Sequence, residues 1–286
     1  MAPRRPPAAG AGRDVADDAE LRTIEAIYDA LDGGEPERAL ALGRAALERS
    51  ADEDPVLRFL CGRALFEDDR PEEAAADFRR ALELDPDDPE FRAFAAWAAF
   101  RCCRFDEAER LLAVSRRGPA RLPELHHVRA LLLERRGEFA AADREFARAT
   151  ELEPEAFPHP CRLGAREFDA RLAEARAALE PRFREHLDRV ELIVDDLPRS
   201  ELLLDSDPPL DPEQLLGFFS GVPLPERSSF SAGGELPPRI FLFKRNLERL
   251  VRSPAELAEQ IRITLFHELG HYLGLEEDDL EESGYG

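Results

Sequence analysis

Asp69-Arg-Pro-Glu-Glu-Ala-Ala-Ala-Asp-Phe-Arg-Arg-Ala-Leu-Glu-Leu-Asp-Pro86 returns as Gly137-Glu-Phe-Ala-Ala-Ala-Asp-Arg-Glu-Phe-Ala-Arg-Ala-Thr-Glu-Leu-Glu-Pro154, each matching position 68 residues further on. Alanine falls at 74 and 142, phenylalanine at 78 and 146, alanine again at 81 and 149, proline at 86 and 154. Steps of four and three residues keep these side chains on one face of a helix. The offset is twice a 34-residue unit, and Cys103-Arg-Phe-Asp-Glu-Ala108 fills the unit between the two copies. Gly34-Glu-Pro-Glu-Arg-Ala39, with Ala46, fills the preceding one, a residue out of strict register. Self-similarity at such a period marks stacked helical pairs that bury their apolar faces only against their neighbours.

These four units resemble tetratricopeptide repeats over roughly residues 20–156. The resemblance puts small residues where paired helices approach closely: Ala39, Ala74, Ala108 and Ala142 in the second helix, Gly62, Ala96 and Ala130 in the first. The third unit matches least well, with Cys103 where a turn glycine is usual and Gly118-Pro119 late in its second helix. It implies an all-α solenoid whose concave groove takes a protein or peptide, without catalysis of its own. A plain helical spacer or dimerisation arm would leave the same pattern.

The other informative stretch is Thr264-Leu-Phe-His-Glu-Leu-Gly-His-Tyr-Leu-Gly274. His267 and His271 stand one helical turn apart, so both imidazoles project from one face and can share one Zn²⁺ at about 2.0–2.1 Å. Glu268 is placed to take a proton from a zinc-activated water. Ser253-Pro254-Ala255-Glu256 reads as a capping box with proline at the first helical position, and Gly274 as the stop. The second half of this helix is apolar nearly all round, the mark of a buried helix. Two histidines and a glutamate in such a place need partners, because unpaired polar groups are costly to bury.

Composition bounds the rest. The chain has 286 residues, 43% hydrophobic and 35% charged, with a formal net charge of −22; Lys244 is the only lysine. The length suits two modest domains. An acidic surface without a basic stripe argues against nucleic acid and anionic membrane as partners. No stretch approaches the roughly 18 apolar residues of a membrane span. The start, Met1 to Arg13, carries charge without an apolar core and reads as a disordered tail. Cys61, Cys102, Cys103 and Cys161 lack disulfide-scaffold density and zinc-ligand spacing, so reduced thiols in a cytoplasmic protein are expected. The expected domains are a tail over 1–18, repeats over 19–156, a proline-rich linker over 157–165 and a second domain over 166–286.

In that second domain the pattern predicts an amphipathic helix over 166–187 interrupted near Pro181, and strands at Val190–Val194 and Arg239–Lys244. It also predicts a short helix over Pro212–Phe219 and another over Asn246–Val251, so a small α+β fold. No histidine stands downstream of His271, and the sequence ends fifteen residues later. A third protein ligand is therefore expected among the acids of Leu275-Glu-Glu-Asp-Asp-Leu-Glu-Glu282, with Gly274 permitting the backbone reversal.

From about Glu167 onward the chain resembles the short bacterial zincin-like metallopeptidases, a minimal zincin of the form H-E-x-x-H-x-x-G-x-x-D. Besides the helix, the matching pieces are Gly221-Val-Pro-Leu224 with Arg227, Gly234 to Ile240, and Leu280 with Gly284-Tyr285. Where the family has its aspartate this chain has Glu277, followed by Asp278; either carboxylate suits Zn²⁺, and both remain candidates. The resemblance implies a zinc metallopeptidase: His267, His271 and one of those acids hold the metal, and Glu268 is the general base. The strand at Arg239–Lys244 is expected to offer its edge to an extended substrate. Tyr272 and Tyr285 stand where an oxyanion helper or aromatic packing would use them. The alternative is an interaction scaffold with a structural or catalytically idle zinc site, and the sequence leaves the oligomeric state open.

Overall fold

The computed structural model describes residues 15–50, 53–114, 121–226 and 237–275. The chain divides into two compact units, Met1–Phe157 and Pro158–Gly286.

The first unit is helical throughout its described residues: α1 (Val15–Asp32), α2 (Pro36–Arg49), α3 (Pro55–Glu67), α4 (Pro71–Leu84), α5 (Pro89–Arg101), α6 (Phe105–Val114), α7 (Pro123–Arg135) and α8 (Phe139–Leu152). Consecutive helices pack as four antiparallel-type pairs, and the first helices of successive pairs also meet, α1 with α3 and α5 with α7. The start signals are local. Asp54 and Asp88 each precede a proline, and each carboxylate accepts the second and third N–H groups of its helix at 2.6–3.0 Å.

The turn inside each pair is built the same way four times. Gly34, Asp69, Cys103 and Gly137 all have positive φ, between 55° and 75°. The N–H of the next residue closes back onto a carbonyl five residues earlier: Glu35 to Ala30, Arg70 to Leu65, Arg104 to Ala99 and Glu138 to Leu133, at 2.8–2.9 Å. Two of the four positions are thus filled by side-chain-bearing residues in a conformation that favours glycine.

The repeated small residues sit where the pairs touch. Ala39, Ala74, Ala108 and Ala142 are 0% exposed, as are Ala96 and Ala130. At Gly62 a Cβ would come within 2.7 Å of the Phe78 ring, so only glycine lets α3 and α4 approach this closely. An aromatic cluster of Phe59, Phe66, Phe78, Phe91 and Phe94 fills the space above it. Past α8, the chain folds back so that Phe157 packs on Trp97 and His127.

The second unit runs α9 (Ala165–Ala178), α10 (Pro181–Leu187), β1 (Glu191–Asp195), α11 (Ser200–Leu204), β2 (Gly217–Ser220), β3 (Arg239–Phe243), α12 (Lys244–Leu250) and α13 (Pro254–Leu273). The sheet order is β1-β3-β2. β1 pairs parallel with β3, Glu191 opposite Arg239, and β2 pairs antiparallel, Gly217 opposite Leu242. Two sequence expectations need correction here. The helix expected over Pro212–Phe219 is a single turn followed by β2, a third strand. The strand at 239–243 lies in the centre of the sheet with both edges paired, so it has no edge to offer; of the two outer strands, β2 is the one that packs against the motif helix.

The core of this unit gathers around α13: Ile261, Leu265 and Leu269 are 0% exposed and meet Phe168 and Ala175 of α9 and Ile240 and Leu242 of β3. Residues 161–163 are tied to this unit by a buried carboxylate. Glu248, 0% exposed, accepts the N–H of Leu163 at 3.0 Å and pairs with Arg162 and the lone lysine, Lys244. The Cys161 N–H donates to the Glu248 carbonyl at 2.8 Å. No helix among the described residues is long and apolar enough to cross a membrane.

Candidate metal centre

The motif helix begins and ends as its residues dictate. The Ser253 hydroxyl accepts the Glu256 N–H at 3.3 Å, and Pro254 occupies the first turn, where a missing donor costs nothing. Glu256 reaches back to the N–H of Arg252, at 2.9 Å, and accepts the Ser253 hydroxyl. At the far end Gly274 turns left-handed, φ 79°, and the Leu275 N–H closes onto the Gly270 carbonyl at 3.0 Å. A Cβ on Gly274 would also lie 2.9 Å from the Pro225 ring, so glycine is required twice over, by conformation and by space.

On this helix His267 and His271 converge. Their Nε2 atoms lie 3.1 Å apart, the rings nearly perpendicular with centroids at 4.8 Å. Two nitrogens bound to one tetrahedral zinc at about 2.0–2.1 Å stand roughly 3.3 Å from each other. The donor pair therefore fits such an ion. Both imidazoles are half-buried, while Glu268 between them in sequence is 7% exposed. Its carboxylate lies under β2: a Cβ on Gly217 would stand 3.0 Å from Glu268 Oε1.

The third expected ligand, Glu277 or Asp278, lies outside the described residues, as do Arg227, Gly234, Leu280, Gly284 and Tyr285. Among the described residues no group of three His, Cys, Asp or Glu side chains is placed to hold a metal. Three of the other histidines have partners away from the motif helix, whereas the Nδ1 of His186 is buried with no hydrogen-bond partner among the described residues. His126 Nδ1 is 2.6 Å from Glu145 Oε2, and His127 lies among Trp97, Phe146 and Phe157. His159 Nδ1 is 3.1 Å from the Pro160 carbonyl, and His186 faces Tyr272 with centroids 6.5 Å apart. Tyr272 itself is 1% exposed and packs on Phe219, which makes it part of the core. All four cysteines are free thiols.

Sequence reasoning missed three residues that shape this domain, of which Gly217 lies directly against Glu268. Gly217 carried one signal, a glycine inside an apolar run, which in a strand marks close backbone approach. Asn246 and Glu248 carried none. They look like exposed helix residues, and only the tertiary structure buries them, at 1% and 0% exposure.

Comparison with known proteins agrees with this division. A family model described as Zincin-like metallopeptidase matches residues 187–285, and two tetratricopeptide repeat models match residues 24–89 and 65–132. No curated protein matches the chain. Among solved structures, YrrB, described as a TPR protein with an unusual peptide-binding site, is 20% identical at a TM-score of 0.39, covering 49% of this chain and 71% of that one. The crystal structure of MamA is 14% identical at 0.38, covering 45% of this chain and 74% of that one. The chain thus joins tetratricopeptide repeats to a small zincin-like metallopeptidase domain with a three-stranded sheet.

Proposed function

We propose that this protein is a zinc-dependent metallopeptidase whose repeats bring it a protein substrate or partner. The observation that carries the proposal is the pair of Nε2 atoms converging at 3.1 Å, with the buried Glu268 on the adjoining residue of the same helix. A purely structural site would have no use for a carboxylate there. His267 and His271 would hold the ion, with Glu277 or Asp278 as the third ligand. Bound zinc supplies Lewis acidity toward a scissile carbonyl and lowers the pKa of water at the site toward about 7.

The protein's own groups do the rest. Glu268 accepts the proton of the attacking water and returns it to the leaving amine, a role commonly worth about 10²–10⁴-fold. β2, paired on one side only among the described residues, would leave a row of backbone donors and acceptors beside the motif helix for an extended peptide. The repeat groove would recruit the rest of the substrate chain. A cytoplasmic setting, with neither nucleic acid nor membrane as partner, suits the free thiols and the net charge of −22.

The test measures zinc per chain and cleavage of a denatured-protein or peptide library, for wild type and Glu268→Gln. One zinc in each, with cleavage only by wild type, is the expected result. Zinc in both and cleavage by neither would leave an interaction scaffold with an idle site. Loss of zinc from Glu277→Ala or from Asp278→Ala identifies the third ligand.

A further inference from the structure

We infer that Gly217 and Asn246 are positioning residues that set where the Glu268 carboxylate can go; this rests on Glu268 being the base. Strand β2 crosses the motif helix at Gly217. A methyl group there would lie 2.7 Å from Thr264 Cγ2, 2.9 Å from Glu268 Cγ and 3.0 Å from Glu268 Oε1. Two of these three atoms sit on side-chain stems close to the helix backbone, so neither can swing away freely. A side chain at 217 must displace Glu268 or lift the strand.

The strand is not free to lift. The Phe243 N–H donates to the Leu216 carbonyl at 2.9 Å, and the Asn246 amide donates to the carbonyls of Pro212 and Leu215 at 3.0 and 2.6 Å. Arg249 adds a bond to the Glu213 carbonyl at 3.4 Å. Asn246 is 1% exposed, and a buried amide so engaged holds its partners in one arrangement. The backbone entering Gly217 is therefore clamped from α12, and the Glu268 carboxylate is walled on the sheet side by main chain. Glutamate has several rotatable bonds, and a reacting group misplaced by about 1 Å loses on the order of 10²-fold. The clamp narrows that freedom before any ligand arrives.

A glycine required only for packing would give the same close contacts, and a pair of variants separates the two roles. Gly217→Ala and Gly217→Ala/Thr264→Ser are compared with wild type and Glu268→Gln, each loaded with cobalt(II). The readouts are metal stoichiometry, the visible absorption spectrum, thermal stability, and kcat and KM on any substrate that wild type cleaves. The spectrum responds to what the neighbouring carboxylate contacts at the metal, independently of turnover. Gly217→Ala should keep its metal, move the spectrum toward that of Glu268→Gln, and lower kcat by about 10–100-fold at unchanged KM. Adding Thr264→Ser removes the closest clash and should restore stability but neither spectrum nor kcat. Asn246→Ala, which releases the strand without adding an atom at the helix, should move the spectrum the same way. A wild-type spectrum in Gly217→Ala overturns the inference, as does recovery of spectrum and kcat together with stability. A cobalt protein that shows these spectral shifts yet cleaves nothing removes the peptidase reading and leaves the positioning role standing. Absence of cobalt binding overturns both.

Discussion

Replacing Gly137 by alanine and Cys103 by glycine perturbs two turns built the same way, in opposite directions. Both residues close a helical pair with positive φ, 75° and 58°. A Cβ on Gly137 would meet nothing within 4 Å, so the substitution introduces no clash, only a disfavoured conformation. That conformation costs an L-residue about 1–2 kcal/mol. Alanine recovers about 0.4–1 kcal/mol by restricting the unfolded chain. Gly137→Ala should therefore destabilise the repeats by roughly 1 kcal/mol, and Cys103→Gly should stabilise them by a similar amount. Trp97 is the only tryptophan and lies inside the repeats, between Phe66, Phe94 and His127. Its fluorescence during urea unfolding of the full chain reads this unit alone. With a urea slope of about 2 kcal/mol per molar, the midpoints should move apart by roughly 1 M, on either side of wild type. Gly137→Ala within about 0.3 kcal/mol of wild type, or a destabilised Cys103→Gly, would refute the assignment of these turns.

Two further outcomes follow from titrating groups in the repeats. The Glu145 carboxyl is held below the usual range chiefly by its hydrogen bond with His126, and a lowered carboxyl adds stability above its unfolded value and loses it as pH falls through the folded one. Glu145→Gln should thus cost stability near pH 6, with the cost shrinking below about pH 4; Trp97-monitored unfolding across that range checks it, and a cost unchanged by pH would refute the pairing. Cys61 is 0% exposed and burial raises its thiol to about 11, so iodoacetamide at pH 8 should leave it unmodified in the folded protein. Mass-spectrometric mapping that finds Cys61 alkylated as fast as in urea would contradict its burial.

What was legible in the sequence divides along physical lines. The repeats were readable because close helix packing forces small residues to recur at a fixed spacing, as at Ala74, Ala108 and Ala142. The motif helix was readable because its ends are local: Ser253, Pro254 and Gly274 act on their own neighbours. The stretch after Asp211 carries a local start signal too, but tertiary contacts override it. Asp211 does accept the N–H of Glu213 at 2.8 Å, a real start signal. The turn stops there because the Leu216 carbonyl and the next four residues pair with β3, a choice made by tertiary contacts. A short apolar run such as Leu215 to Phe219 does not separate strand from helix by itself. Glu248 and Asn246 were illegible because each looks like a surface residue of a short polar helix. The edge-strand assignment failed because strand order is a long-range property that no local pattern encodes.

X-ray absorption at the zinc edge of the purified protein tests the central claim most directly. The account predicts two imidazole nitrogens at about 2.0–2.1 Å with oxygen completing the shell and no sulfur, and loss of that zinc in a His267→Ala/His271→Ala variant. Sulfur scattering, or zinc retained in the double variant with its imidazole signal intact, would contradict it.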